Sequence, residues 1–565
     1  MINETDYSNN PLTKEQENQI DDIFAQYDTT DKPGCAVGVI QDGRFIYKKS
    51  FGMANLEHGI PITSSSKFEI GSDTKQFTAT CIALLQIDGK LTYDDDIRKL
   101  IPELPNYGEK ITIKNLIFHT SGLMDYTNLM RIRGINYDEC YYNNEDIIRL
   151  ISKIKELNFR PGEKYLYSDT GYVLLAEIIS RVSGQSFAKY VKEKIFDPLG
   201  MDNTQIIDNW KQIIKNRATS YHENDDGEYD TYVHISENIG GIGVITTIND
   251  FLLWDQNYYS GKVGGPELQK IISNLKRVND TSENELYGLG LCFYEYKSIS
   301  VVSHSGDWLG YVSDPVRYPE YKTSVVVFFN NEHEPNPMIK SVTDIILADI
   351  IKEPNTELIS KEIKNESFNT DLEKFYGYYC AVQNVDDNGE PHWQVHDASG
   401  NRRTIKIYNK DGDLFYWRNN DSESRLKRIS ENEFIMEGMS FDVRLNFDFT
   451  TNEKVMKYFK NGKYPIVFKN YEPVKYSLEK LHKYSGNFYS QELEVEYQIK
   501  VDNDKLVIYI KDKKMSELTL ILDNLFLIDE WYSTLKYCFN DRNEISGLIL
   551  DSYRVQNMQF VKQPE

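Results

Sequence analysis

The sequence predicts an α+β part over residues 1–355, a linker over 356–370, and two antiparallel barrel-like β-domains over 371–475 and 476–565. Three observations lead there. Up to about Ile351, segments of helical apolar spacing alternate with β-hairpin patterns. Lys352-Glu353-Pro354-Asn355-Thr356-Glu357 and the charged residues to Glu366 then read as a linker, beyond which short strands and polar turns replace long helical periodicity. The third is an internal repeat. Leu372-Glu373-Lys374-Phe375-Tyr376-Gly377-Tyr378-Tyr379 matches Leu481-His482-Lys483-Tyr484-Ser485-Gly486-Asn487-Phe488 in its leucine, lysine, aromatics and glycine. Leu493, Val495, Tyr497, Ile499 and Val501 alternate with polar residues, the pattern of a half-buried strand.

A chain of 565 residues exceeds one hydrophobic core and implies several domains. Aromatic residues make up 13%, with 40 tyrosines, which favours extensive β-structure. A net charge of -23 argues against nucleic-acid or anionic-membrane partners, which need clustered Lys and Arg. The start, Met1-Ile2-Asn3-Glu4-Thr5-Asp6, is polar and acidic, and no apolar run is long enough to cross a bilayer. The six cysteines are scattered without metal-ligand spacing. The expectation is a cytoplasmic protein with reduced thiols, no metal, no cofactor and no membrane partner.

In chain order, Leu12 to Tyr27 has helical spacing. Gly34 to Ile40 and Arg44 to Lys48 form a hairpin across Gln41-Asp42-Gly43. Phe68-Glu69-Ile70-Gly71-Ser72-Asp73-Thr74-Lys75-Gln76-Phe77 opens an apolar helix running to Ile87, with Gly89 as its stop. Glu145 to Leu157 reads as a helix, Arg160-Pro161-Gly162-Glu163 as a turn, Lys164 to Ser168 as a short strand, and Gly171 to Val182 as an apolar helix ended by Gly184. Ser300 to Ser303 reads as a strand entering a glycine-bearing turn, and Thr323 to Phe329 as a β-branched strand able to pair with it.

Ser72 and Lys75 lie one helical turn apart at a helix start, where the dipole and unpaired amides favour an alkoxide. A lysine there becomes a base if burial or a nearby charge lowers its pKa. Spacing alone is weak, because Ser-x-x-Lys also begins at Ser64, Ser152, Ser186, Ser273, Ser477 and Ser533. Taken alone, Ser72 is as well explained as a helix cap, as are Asp169 or Thr170 at the later helix, and a lone histidine such as His304 is commonly structural.

Taken together, Ser72-x-x-Lys75, Tyr167-Ser168-Asp169 and His304-Ser305-Gly306 resemble the serine β-lactamase and penicillin-binding-protein superfamily, in the branch of class C β-lactamases, DD-peptidases, esterases and D-aminopeptidases. His119-Thr120-Ser121-Gly122-Leu123, Gly171-Tyr172-Val173-Leu174-Leu175, Gly240-Gly241-Ile242-Gly243-Val244-Ile245-Thr246-Thr247 and Trp308-Leu309-Gly310-Tyr311 add to the resemblance, which covers about residues 12 to 350. It implies a β-lactamase/transpeptidase-like catalytic domain: an antiparallel sheet flanked by helices, a helical subdomain, and a site between them. Ser72 would be the acylated nucleophile, and Lys75 with Tyr167 the general base. Tyr167 would then protonate the leaving amine. The amides of Ser72 and Asp307 would form the oxyanion hole, with His304 orienting the far end of the scissile group and Asp169, Ser305, Gly306 and Asp307 contacting substrate.

Two departures shape the substrate expected. Histidine replaces the lysine usual in the third motif, a weaker anchor for a substrate carboxylate. Asp169 replaces asparagine in the second, offering a carboxylate that could meet a substrate ammonium. The histidine and the two β-domains are similar to the D-aminopeptidase layout, in which a barrel loop reaches the cleft, although the sequence does not identify that loop. The resemblance implies a metal-independent serine hydrolase of small amides or short peptides, D-aminopeptidase-like. The alternatives are an esterase, a β-lactamase or DD-peptidase, or a penicillin-recognising sensor that acylates without efficient turnover.

Overall fold

The computed structural model describes residues 12–351 and 372–564, apart from 225, 275–276, 279–285, 386–390, 395–403, 411, 419–422, 438–442, 451–453, 461–464, 473, 529–530, 532 and 553. The expected linker lies outside the described residues.

The first helix, Lys14–Phe24, starts at a capping box in which Thr13 and Gln16 satisfy each other's backbone amides. Its Ile20 and Phe24 are fully buried against the central sheet. That sheet is antiparallel and runs in the order Arg277–Val278, Leu286–Gly288, Leu291–Tyr296, Ile299–Ser303, Tyr311–Tyr318, Thr323–Phe329, Cys35–Gln41, Arg44–Phe51. A short ninth strand, Gly306–Trp308, pairs with Tyr311–Ser313. Every residue of Thr323–Phe329 is buried, because helices cover both faces. This is why the run reads as continuously β-branched instead of alternating. Its partner differs from expectation: Tyr311–Tyr318 inserts between it and Ile299–Ser303, since the chain reverses at Leu309-Gly310 and returns as a full strand.

The Ser72 helix spans Thr74–Ile87 and lies beside the helix Asp169–Ser183 in the larger core. Two expectations fail locally. The Glu145–Leu157 helix is shorter, Asn144–Ile151, because the chain then turns towards the second barrel, where Lys153 pairs with Glu494 at 2.6 Å and the Lys155 amide donates to Glu492 Oε1 at 3.2 Å. Lys164–Ser168 is extended but joins no sheet; instead the Leu166 amide donates to the His119 carbonyl.

Two closed antiparallel barrels follow. The first closes through pairing of Gly377–Val385 with both Thr404–Lys410 and Ile466–Tyr471. The second is a closed ring from Gly486–Ser490 to Val555–Lys562. The sequence repeat occupies equivalent places: a short helical turn (Glu373–Phe375 or Leu478–Lys483), then a glycine with φ of 150° or 153° that begins the first strand. The second barrel shares its core with the helical part. Tyr497 Oη donates to the Ile132 carbonyl at 2.7 Å, and a Cβ on Gly134 would stand 2.8 Å from Ile510 Cδ1. Among the described residues no helix is long and apolar enough to cross a membrane.

Candidate active site

The chain tightens into a short 3₁₀ turn, Gly71–Asp73, before the helix begins. Gly71 has φ +45°, and a Cβ there would lie 2.7 Å from the Asp307 amide nitrogen. Gly306 approaches as closely from the other side: its Cβ would meet the Ile70 carbonyl oxygen at 2.0 Å. Two glycines thus bring the Ser72 turn and the Asp307 backbone together, with no room for a side chain between them.

Lys75 points from the first turn of the helix into the space behind Ser72 and is fully buried. Its Nζ donates to Ser72 Oγ at 3.0 Å, Asp169 Oδ1 at 2.6 Å and the Gly241 carbonyl at 3.0 Å. An ammonium has three hydrogens, and here each has an acceptor. A neutral amine has two hydrogens and one lone pair. Since a carboxylate and a carbonyl only accept, the lone pair of neutral Lys75 must face Ser72. Burial lowers the Lys75 pKa, outweighing the upward pull of Asp169. The Gly241 carbonyl is delivered by Gly240 and Gly241, which thread between the two helices. A Cβ on Gly240 would meet the Tyr172 carbonyl oxygen at 2.4 Å, and Thr78 Oγ1 donates to the Gly240 carbonyl at 2.7 Å.

The Tyr167 ring lies 4.9 Å from Lys75 Nζ, and its hydroxyl is close enough to Ser72 to feel it electrostatically. Burial, then the charge of Asp169, pushes this phenol well above its ordinary value. The ring packs against His119 at 4.2 Å between centroids and lies 6.1 Å from the His304 ring. His119 Nδ1 accepts from the Ser168 amide at 3.1 Å, and burial keeps its imidazole neutral. His304 Nδ1 donates to the Ser305 carbonyl at 2.7 Å, so its Nε2 accepts from the Tyr287 hydroxyl at 3.1 Å. Burial, then Lys75, lowers His304 to about 4, which leaves it neutral near pH 7. It supplies no fixed cation for a substrate carboxylate.

Neither Asp169 nor Thr170 caps its helix. The Asp169 amide donates instead to Asp125 Oδ2 at 2.6 Å, and Thr170 Oγ1 bonds the Met124 carbonyl and the Tyr126 amide. Both carboxylate oxygens of Asp169 are engaged by cations: Oδ1 by Lys75 and Oδ2 by Arg554 Nη1 at 2.9 Å. Burial would raise Asp169, but Lys75 and Arg554 outweigh it and hold the carboxyl well below its usual range. Arg554 lies in the turn between Ile545–Ser552 and Val555–Lys562 of the second barrel, which makes this turn the barrel loop that reaches the cleft. The site residues that sequence reasoning missed are Asp125, Tyr287 and Arg554. A lone arginine in a hairpin turn carries no local signal.

Ser305 and Asp307 are exposed, and Gly306 is buried against the Ser72 turn. Loss of hydration, then Glu332, Glu334 and Asp138, raises Asp307 to about 6. Among the described residues no group of three or more His, Cys, Asp or Glu side chains is arranged to hold a metal ion.

A helix that carries Ser72 and Lys75, a helical subdomain beside it, an antiparallel strand opposite and a Ser-Lys-Tyr cluster between them define a fold and cleft of the β-lactamase/transpeptidase type. The Beta-lactamase family matches residues 20–348, more than half of the 565 residues, and the chain belongs to that family. Penicillin-binding protein 4* of Bacillus subtilis (strain 168) is 31% identical over 308 residues, covering 52% of this chain and 67% of that protein. A D-aminopeptidase of Gluconobacter oxydans (strain 621H) is 28% identical over 302 residues, covering 53% of this chain and 56% of the relative. Among solved structures, the octameric penicillin-binding protein homologue from Pyrococcus abyssi superposes with a TM-score of 0.55 at 22% identity, covering 80% of this chain and 99% of that one. The D-amino acid amidase from Ochrobactrum anthropi SV3 does so with a TM-score of 0.51 at 23% identity, covering 59% and 99%. These two likenesses are of fold.

Proposed function

We propose that the chain cleaves small amides or short peptides through an acyl-enzyme on Ser72, with D-aminopeptidase-type specificity. The observation that carries this reading is the hydrogen-bonding of Lys75, whose two obligate acceptors leave its lone pair for Ser72. Neutral Lys75 takes the Ser72 proton as Oγ attacks the carbonyl. The amides of Ser72 and Asp307 stabilise the oxyanion, the scissile C–N bond breaks as Tyr167 hands a proton to the leaving amine, and the Lys75 ammonium passes its proton on to the Tyr167 phenolate, which restores both groups. Water then repeats the sequence on the acyl-enzyme.

Three features favour an amine-bearing substrate. His304 is neutral, Asp169 is already satisfied, and Asp307, next to the oxyanion amide, is an open carboxylate beside other acids. Asp307 therefore suits a substrate ammonium better than Asp169 does. The D-aminopeptidase relatives support this class of substrate.

The test is intact-mass detection of an adduct on Ser72, followed by a panel of L- and D-amino-acid p-nitroanilides, short acyl esters and a chromogenic cephalosporin. Preference for D-anilides is the expected result. An adduct with no turnover of any panel member would replace this reading with that of a penicillin-recognising sensor, the reading that the relative penicillin-binding protein 4* favours.

Gly306 offers a check on the oxyanion geometry. Alanine at this position would drive a Cβ to 2.0 Å from the Ile70 carbonyl oxygen and 2.6 Å from Ser313 Oγ, so the Ser72 turn must move away from the Asp307 amide. Acylation is expected to slow about a hundredfold in Gly306→Ala. An unchanged rate of adduct formation would place the oxyanion elsewhere.

A further inference from the structure

We propose that Arg554 of the second barrel is a positioning residue of the acyl-transfer centre, holding Asp169 by one oxygen so that only the other meets Lys75, and that the barrel is thereby a working part of the site. The proposal rests on the acyl-transfer reading above.

The arginine is seated firmly. Its carbonyl accepts from the Asp125 amide at 3.3 Å and from Asn158 Nδ2 at 3.1 Å. On either side of it, the Gln556 amide donates to Asn158 Oδ1 at 2.8 Å and Asn128 Nδ2 to Ser552 Oγ at 2.8 Å. Two separate segments of the catalytic part, the start of the helix Tyr126–Ile132 and the loop at Asn158, thus grip one hairpin turn. From this seat the guanidinium serves two carboxylates, at 2.9 Å from Asp169 Oδ2 and 3.8 Å from the fully buried Asp125 Oδ2. Its Cζ also lies 4.8 Å from the centroid of Tyr167, the ring that Lys75 Nζ approaches to 4.9 Å. Cation, anion and cation therefore alternate from the barrel to the base, with the tyrosine ring against both cations.

The consequence is electrostatic. Asp169 draws a proton onto Lys75, and Arg554 offsets that pull by sharing the same carboxylate. Lys75 is faced by Asp169, Tyr167 and Tyr172 across the cleft, and by Asp125 and Arg554 behind the aspartate. His119 and His304 face it from the ring cluster, and Asp73 from its own turn. Both histidines are neutral, and burial, aided by the charge of Asp314, keeps Asp73 well above the ordinary carboxyl range against the downward pull of Ser313, Gln76 and Lys75. The charge that can be removed without touching Lys75, Asp169 or the substrate face is that of Arg554. Without it, the whole charge of Asp169 acts on Lys75, the amine is neutral at fewer pH values, and the acid limb of the reaction moves towards higher pH.

The experiment follows the rate at which a fluorophosphonate labels Ser72 in the full chain as pH is varied, for the wild type, two neutral variants, Arg554→Gln and Arg554→Met, and the charge-retaining Arg554→Lys. In each neutral variant the acid limb is expected about one unit higher, with labelling about tenfold slower below the limb and converging with wild type above it. Arg554→Lys is expected to keep most of the wild-type profile. Either neutral variant suffices if the other does not fold. A neutral variant whose profile superimposes on wild type, or is lowered by one factor at every pH, overturns the proposal. So does a lysine variant displaced as far as the neutral ones. Failure of the wild type itself to take the label defeats the hydrolase reading, and this inference with it.

Discussion

Ser72→Ala is expected to lower turnover of any amide or ester substrate at least about ten-thousandfold while leaving the fold intact. The size follows from losing the only atom that forms the covalent intermediate, and the neutrality from the local bonding. Ser72 is half-exposed, and without its hydroxyl Lys75 still donates to Asp169 and to the Gly241 carbonyl. The buried charge is therefore never stranded, and the thermal midpoint is expected within a degree or two of wild type. Intact-mass spectra should show a fluorophosphonate adduct on the wild type and none on the variant. Residual turnover near the wild-type rate would remove Ser72 from the chemistry altogether, whatever the neighbouring geometry.

The order of Ser72 and Lys75 along one helical turn is local, and so it was legible: spacing alone puts the amine behind the hydroxyl once a helix forms. The strands were legible for a similar reason, since burial on both faces leaves an unbroken β-branched run at Thr323–Phe329 and single-face burial leaves alternation at Val495–Asp502. The partner of a strand was not, because pairing is decided by where the chain turns. Leu309 and Gly310 both adopt positive φ, and the hairpin they make places Tyr311–Tyr318 where Ile299–Ser303 was expected.

Asp169 does not cap its helix for a comparable reason. A helix-start aspartate suggests a cap by residue type, but its neighbours in space are Lys75, 94 residues away, and Arg554, 385 residues away. Two cations outcompete a backbone amide for that carboxylate, and Asp125 takes over the amide. The resemblance anticipated that a barrel loop would approach the cleft. Which turn does so depends on how the second barrel seats against Ile132 and Gly134, and no periodicity encodes that.

Lys75→Met is expected to match the loss seen on removing the nucleophile, about ten-thousandfold in acylation, whereas Tyr167→Phe is expected to depend on the leaving group. The two side chains sit side by side but are pushed in opposite directions. Burial lowers the lysine, bringing its neutral form closer to working pH, and raises the phenol, removing its phenolate from it. Of the two, Lys75 is thus the group assigned to accept the Ser72 proton in this prediction, and Tyr167 is a phenol with a proton to give. A p-nitrophenyl ester leaves as a stable anion and needs no proton, so Tyr167→Phe is expected to slow it less than about tenfold. An alkyl amide must leave as an amine and is expected to slow by about 10² to 10⁴. Lys75→Met slows both equally, because both begin with the same deprotonation. Measuring kcat/KM for one ester and one amide across the three proteins separates the roles. Equal losses on ester and amide in Tyr167→Phe, with an active Lys75→Met, would transfer the base function from the amine to the phenol.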